Sequence, residues 1–238
     1  MKRLGILLAL IVGAVVIYNL AFPSVTVRYR LTLEAQEDGE PKTGSGVIEV
    51  TYSKQSRFAG QAPGIETSRG EAVVLDLGPR GTLFALLKAD TDSRSTPETI
   101  VLRAFNFPGG VLPGPIDEGL RQLQRLSGKR ELPLTSLPLL VRFRDLNDPK
   151  TVERVDPLDI GKSFGAGAKL VRATLEIVPA GVWPLSWFGI TGEPITTGID
   201  ERLVWLKRLK GGYLDGAFAG GGPALSNILF GGNFKTGS

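Results

Sequence analysis

Residues 25–53 read VTVRYRLTLEAQEDGEPKTGSGVIEVTYS, and the pattern within them decides the fold. Val25, Val27, Tyr29, Leu31 and Leu33 fall at every second position, with Thr26, Arg28, Arg30, Thr32 and Glu34 between them. A period of two sends successive side chains to opposite faces of an extended chain, so this segment is a strand with one buried and one solvated face. Glu37-Asp38-Gly39-Glu40-Pro41 supplies a turn. Residues 45–53 alternate again, with Val47, Glu49 and Thr51 opposite Ile48, Val50 and Tyr52, and the two segments predict an antiparallel hairpin.

Downstream the signals are mixed. A Gly, Pro and Ser-rich stretch covers residues 56–70, after which residues 71–77 and 82–88 form a second candidate strand pair around Gly78-Pro79-Arg80-Gly81. Residues 99–105 read as a weaker strand. Ile116, Leu120 and Leu123 lie at helical spacing, with Asp117 and Glu118 in the first turn, and predict an amphipathic helix over 116–126. Residues 139–143 form a short strand. Asp148-Pro149 has the form of a helix cap followed by proline, with a short helical turn after it. Residues 170–178 alternate as a long strand, Leu170, Arg172, Thr174 and Glu176 against Val171, Ala173, Leu175 and Ile177, and Ile199, Leu203 and Leu206 mark a helix over 199–209. Residues 211–238 are glycine-rich and read as a loosely packed tail with one short helix near 225–230. Strands first and mixed elements later give an α+β fold with a mainly antiparallel sheet and two or three helices.

Upstream of the hairpin, residues 4–27 carry no charge, and residues 4–22, LGILLALIVGAVVIYNLAF, are apolar apart from two glycines, Tyr18 and Asn19. At about 1.5 Å per residue such a run spans about 28 Å as a helix, close to the hydrocarbon thickness of a bilayer. With Lys2 and Arg3 before it, the run is expected to be a single transmembrane helix, contacting membrane lipid through residues 4–22. A cleaved signal peptide shares the basic head, but its only fair cleavage site, Val12-Gly13-Ala14, leaves a short apolar core. The expected organisation is an anchor or signal over 1–23, an extracytoplasmic α+β domain over 24–210 and the tail over 211–238. The setting that follows is a bacterial inner membrane crossed once, with the C-terminal domain in the periplasm.

Among 238 residues there is no Cys and no His, while Gly and Pro number 31 and 16. The double absence removes disulfide frameworks, Cys/His zinc sites, haem ligation by His, thiolate nucleophiles and every triad with an imidazole base, and no cofactor is expected. The net charge is +4, with Lys2 and Arg3 contributing two of the positive charges. So small a balance is not the footprint of a nucleic-acid binder.

The surviving candidates are few. Asp145, Asp148, Asp156 and Asp159 form an acidic stretch, and a carboxylate-based hydrolase acting on envelope glycans would need two such groups about 5 to 9.5 Å apart. The plainer reading makes Asp148 a cap and Asp156 a turn former. Pro149 stands where a calcium loop needs an oxygen ligand, and Gly161-Lys162-Ser163 lacks the upstream glycine of a phosphate loop. No Ser-x-x-Lys occurs. Arg142, Arg144 and Arg172 sit at strand spacing and read as a solvated face before an anion site. Trp183, Trp187 and Phe188, set among prolines and glycines in PAGVWPLSWFG, form an aromatic loop suited to a membrane interface or a partner.

Residues 28–50, 140–164 and 193–206 together resemble a family of bacterial membrane-anchored envelope proteins with no assigned activity. The motifs carrying the likeness are the RYRLT strand and the F-x-D-x-N-D-P-x-T-V core, FRDLNDPKTV here. The resemblance implies a Gram-negative envelope and carries no catalytic residue with it. The insertion over 178–192 is longer than the family's usual connection. The expected function is a membrane-anchored periplasmic binding or structural protein, an accessory subunit docked on a membrane-protein partner. A glycan hydrolase and a lipid-binding carrier are the alternatives.

Overall fold

A computed structural model describes residues 13, 18, 21–55, 64–90, 95–182, 185, 190–209, 214 and 225–237. Strands β1 (Ser24–Glu37) and β2 (Glu40–Lys54) pair antiparallel along their whole length, from Ser24 opposite Ser53 to Glu37 opposite Glu40. Asp38 and Gly39, at φ of 51° and 87°, make the two-residue turn, whose left-handed backbone matches the twist of the strands it joins. Strand β3 (Gly64–Glu71) pairs with β2, and β9 (Ala168–Val178) with the free side of β1. Strands β6 (Lys129–Leu132) and β10 (Lys235–Thr236) complete a six-stranded sheet of order β10-β3-β2-β1-β9-β6. A second antiparallel sheet has the order β4-β5-β7-β8, from β4 (Val73–Asp76), β5 (Thr82–Ala85), β7 (Leu140–Phe143) and β8 (Val152–Arg154).

The alternation in β1 sends Tyr29, Leu31 and Leu33 into a core shared with Val50 and Tyr52 of β2, Leu175 of β9 and Val73, Leu75, Leu83 and Leu140 of the second sheet. The opposite face of that second sheet carries Phe84, Val141, Phe143 and Val152 into another core with Trp205, Leu229 and Phe234. Buried on both faces, β5 has no solvated side, which accounts for its run TLFA. The sheets meet closely because β2 has glycines on its inner face: a Cβ at Gly44 would lie 2.2 Å from the Val74 carbonyl oxygen.

Helix α1 (Pro97–Ala104) starts on a reciprocal cap between Thr96 and Thr99, and α2 (Ile116–Leu123) buries Leu120 and Leu123. Tyr29 donates its hydroxyl to the Pro97 carbonyl at 3.0 Å and Tyr52 to that of Glu98 at 2.6 Å, which pins α1 to the large sheet. Three single-turn helices follow, α3 (Gly161–Phe164), α4 (Ile199–Arg202) and α5 (Leu206–Leu209).

The expected fold class is corrected at its N-terminal part. Among the described residues no helix is long and apolar enough to cross a membrane. The longest, α1 and α2, have eight residues each, or about 12 Å of rise against about 30 Å of hydrocarbon. What stands is an α+β fold of two antiparallel sheets with short helices; most of residues 4–22 lie outside the described residues.

Other elements differ from the sequence reading for local reasons. Residues 99–105, β-branched and strand-like, form α1, because Thr96 and Pro97 supply a cap and a first-turn proline and the core takes Ile100, Val101 and Leu102 on one short helix. Part of the polar 56–70 stretch becomes β3, which has the β2 backbone to pair with. The short helical turn expected after the Asp148 cap and Pro149 is present, as a 3-10 turn over 149–151, and β8 follows it directly. The helix over 199–209 is broken at Leu203–Trp205, where Leu203 and Trp205 are drawn into the second core and the Trp205 indole donates to the Leu146 carbonyl at 2.9 Å. In the β1–β9 pairing the register shifts between Glu34 and Ala35, which skips Val171 of β9, so that Leu170 joins Ala173 and Leu175 inside while Val171 is exposed. Of the tail, Leu214, Leu229 and Phe234 are buried in the second core, and the Phe234 carbonyl accepts from the Ala72 N–H at 2.8 Å.

Candidate functional site

The polar residues of the β1 alternation make up the outer face of the large sheet. The register sets Arg28 beside Glu49 and Thr26 beside Thr51, whose hydroxyls are 3.0 Å apart. Arg28 is only 5% exposed; its Nε donates to Glu49 at 3.1 Å, and the same guanidinium donates to the Glu193 carbonyl. Arg30 pairs with Glu176 and Glu193, and Arg172 with Glu34, whose carboxylate raises the Arg172 pKa first through the hydrogen bond and then through its charge. The segment after β9 crosses this face and is held there by the arginines and by Thr196, which accepts from the Val47 N–H at 2.8 Å.

Between β9 and Glu193 the described limbs of a finger-like connection, 179–182 and 190–193, close on each other in a narrow neck. The Glu193 N–H donates to the Pro179 carbonyl at 2.8 Å and the Val182 N–H to the Thr191 hydroxyl at 3.0 Å. The two limbs touch backbone to backbone only because their facing residues lack side chains. A Cβ at Gly181 would sit 2.4 Å from the Thr191 carbonyl oxygen, and one at Gly192 would sit 2.6 Å from the Gly181 nitrogen. Beyond the neck, Val182 and Ile190 are each 67% exposed and Leu185 43%. From 179 to 192 the chain, PAGVWPLSWFGITG, has no charged residue. Trp183, Trp187 and Phe188 fall in this segment but lie outside the described residues. Ala180 and Gly181 at the neck line a cleft of about 470 Å³ with Thr26, Arg28, Glu49 and Thr51, at the end of β1 where the chain arrives from residues 1–22.

The structure divides the four aspartates. Asp145 accepts from the Asn147 N–H at 2.9 Å, and Asp148 accepts from the Lys150 N–H at 2.9 Å at the start of the 3-10 turn. Asp156 accepts from the Leu158 N–H at 2.9 Å and lines a cleft of about 540 Å³ with Asp90 and Arg154, which are themselves paired at 2.7 Å. Asp159 pairs with Lys162 at 3.1 Å and lines another cleft of about 510 Å³. Among the described residues no group of three or more His, Cys, Asp or Glu side chains is placed to hold a metal ion. Arg142 and Arg144 both pair with Glu153.

Three groups have pKa values raised by burial. Tyr29 and Tyr52 are pushed well above the usual phenol range, and Glu66 on β3 is raised first by burial and then by Glu98. Neither Glu66 nor Glu98 lines any of these three clefts. The tyrosines serve as buried struts for α1.

Sequence reading passed over Val182, Leu185, Ile190 and the neck of Gly181, Thr191 and Gly192. The signal for them was present as a long uncharged run punctuated by three glycines. That the limbs close on each other, however, is a property of three dimensions. Comparison with family models, with curated proteins and with solved structures finds no match to this chain.

Proposed function

We propose that this chain is a non-catalytic binding or structural component of a bacterial cell envelope, an accessory protein whose contact element is the finger over residues 179–193. The observation that supports this reading most is the exposure of Val182, Leu185 and Ile190 next to a neck tied to the sheet by the Arg28 and Arg30 contacts to Glu193. A loop free to fold its apolar side chains inward would not hold Val182 and Ile190 two-thirds exposed. Asp145, Asp148 and Asp156 are taken up in turn and cap hydrogen bonds and Asp159 in an ion pair with Lys162, which favours attachment over carboxylate hydrolysis. Placement on the periplasmic side rests on Lys2 and Arg3 ahead of a charge-free run, since long domains that follow such a run translocate largely regardless of their own charge.

Detergent extraction of the full chain from its native envelope, followed by native mass measurement, tests the reading. The expected result is a stoichiometric complex that dissociates in a V182D/L185D/I190D variant. A monodisperse monomer carrying neither protein nor lipid overturns it.

A further inference from the structure

The polar residues of the outer face stand in rows that run across the strands. The register places Thr26 of β1 opposite Thr51 of β2, and Thr51 opposite Thr67 of β3; two residues further along, Arg28 stands opposite Glu49 and Glu49 opposite Arg69. With neighbouring strands about 4.8 Å apart and a rise of about 3.4 Å per residue, each row crosses about 10 Å and the two lie about 7 Å from one another. All six residues line the cleft of about 470 Å³ described above, which is also lined by Ala180, Gly181 and Gly237. We infer that this cleft is a binding site for a saccharide chain, which it holds by the sugar hydroxyls and does not hydrolyse. The inference goes beyond the envelope reading and does not depend on the finger as a contact element.

The floor of the cleft is set before a ligand arrives. Arg28 is 5% exposed, and its guanidinium is held by Glu49 on one side and by the Glu193 carbonyl on the other. Burying a charge is costly even when it is paired, and an apolar residue of similar volume would serve packing as well, so an arginine kept at the base of a cleft points to use of the polar surface it organises. The Thr26 and Thr51 hydroxyls, 3.0 Å apart, share one hydrogen bond, which leaves the pair a second proton to donate and lone pairs to accept with. Thr67 is exposed, and its hydroxyl has no partner among the described residues.

The chemistry of the lining selects among ligand classes. Among the described lining residues only Ala180 brings an apolar side chain, so an apolar ligand gains little here. A lone phosphate or carboxylate only accepts hydrogen bonds, and the Arg28 fork that would grip it is already occupied by Glu49. Sugar hydroxyls both donate and accept, as threonine hydroxyls do, and rings joined in a chain present them repeatedly over the length of a row. Glu49 is the single carboxylate among the described lining residues, whereas glycoside hydrolysis takes two. The site holds a glycan and lacks the means to cut it.

The full chain, purified in detergent with its threonine methyl groups carbon-13 labelled, is titrated with cellohexaose, maltohexaose and chitohexaose. The expected result is saturable movement of the Thr26, Thr51 and Thr67 methyl signals by at least one of the three sugars. In a T26V/T51V/T67V variant, which keeps the branched shape, the calorimetric dissociation constant rises about tenfold or more, whereas T26S/T51S/T67S, which keeps the hydroxyls, stays within about threefold of wild type. Native near-ultraviolet circular dichroism qualifies both variants. Binding that the valine variant leaves unchanged overturns the inference, because the sugar then sits elsewhere. Failure of all three sugars to move these signals in the wild type overturns it too, as does displacement of a bound hexasaccharide by inorganic phosphate, which assigns the cleft to an anion. The native-mass test of the finger fails or succeeds independently of these outcomes.

Discussion

Replacing Gly44 with alanine puts a methyl group into the backbone of the second sheet. The new Cβ would lie 2.2 Å from the Val74 carbonyl oxygen, 2.7 Å from the Leu75 Cα and 2.9 Å from the Val74 carbonyl carbon. Carbon–carbon contact is comfortable at about 3.5 to 4.0 Å, so β4 and β2 would have to separate by about 1 Å. No side chain can rotate away, because every one of these atoms is main chain, and Val73 and Leu75 are fully buried on both sides of the contact. Overpacking a core costs about 1 to 3 kcal/mol, with rigid backbone at the upper end. Relief of the glycine's conformational entropy returns about 0.5 to 1 kcal/mol. The net loss is therefore about 2 kcal/mol, which at a urea slope of about 2 kcal/mol per molar lowers the unfolding midpoint by about 1 M. Gly46 is the internal control: its Cβ would meet the Val73 Cγ2 at 3.0 Å and the Val73 Cα at 3.7 Å, and a methyl group at a side-chain end can yield. G46A is expected to lie within about 0.5 kcal/mol of wild type. The assay is equilibrium urea unfolding followed by the fluorescence of Trp205 in a W183F/W187F background. If G44A and G46A unfold at the same midpoint, the sheets do not depend on glycine for their approach and the packing described for β2 against β4 is wrong.

Tyr29→Phe and Tyr52→Phe each remove a hydroxyl that satisfies a carbonyl of the first turn of α1, and each is expected to cost about 1 kcal/mol at neutral pH in urea unfolding. In the unfolded chain a tyrosine ionises near 10, whereas burial holds both protons to higher pH in the fold, so the folded state binds more protons above that point. Stability is therefore present in full below pH 10 and is lost as pH rises beyond it; the double Phe variant should flatten this alkaline limb, and an unchanged limb would refute the assignment. Lys235→Met strips the cation from Glu71, which is 2% exposed and accepts from the Ile199 N–H at 2.7 Å, and is expected to cost about 3 kcal/mol. Combining it with Glu71→Gln should recover part of that loss, and strict additivity of the two changes would argue against a coupled pair. Gly181→Val forces the limbs of the neck apart and should increase limited proteolysis at the neck itself, around 180–181 and 191–192, without lowering the urea midpoint; protection there equal to wild type would show that the neck is not closed.

Much of the large sheet was legible because period-two alternation is a local property. The side chains of β1 and β2 announce both their faces and their register around Asp38-Gly39, and the same register sets Arg28 against Glu49 and Arg30 near Glu176. Helix α2 was legible through its spacing and its acidic first turn. Where local propensity and tertiary demand disagreed, the core prevailed. Thr99, Ile100 and Val101 are strand formers that lie in a helix because Thr96 and Pro97 start one and three buried residues finish it, while Leu203 and Trp205 break a well-spaced helix to reach the second core. The second sheet was read only in part, since a sheet buried on both faces loses the alternation that marks one buried on a single face.

For the aspartates, sequence already contained the plainer reading: carboxylates next to turn residues bond to the nearest backbone N–H, whatever the rest of the chain does. The missing Cys and His set the limits of the chemistry in the same way, from composition alone. The finger is different. An uncharged run between two glycines was visible, but the closed neck, the exposure of Val182, Leu185 and Ile190, and the meeting of that neck with Thr26 at the entry of β1 depend on contacts between residues about 150 positions apart. Alternation, caps and composition act over a few residues and can be read along the chain. Which distant segments end side by side is decided only when the sheet has brought β1 and β9 together.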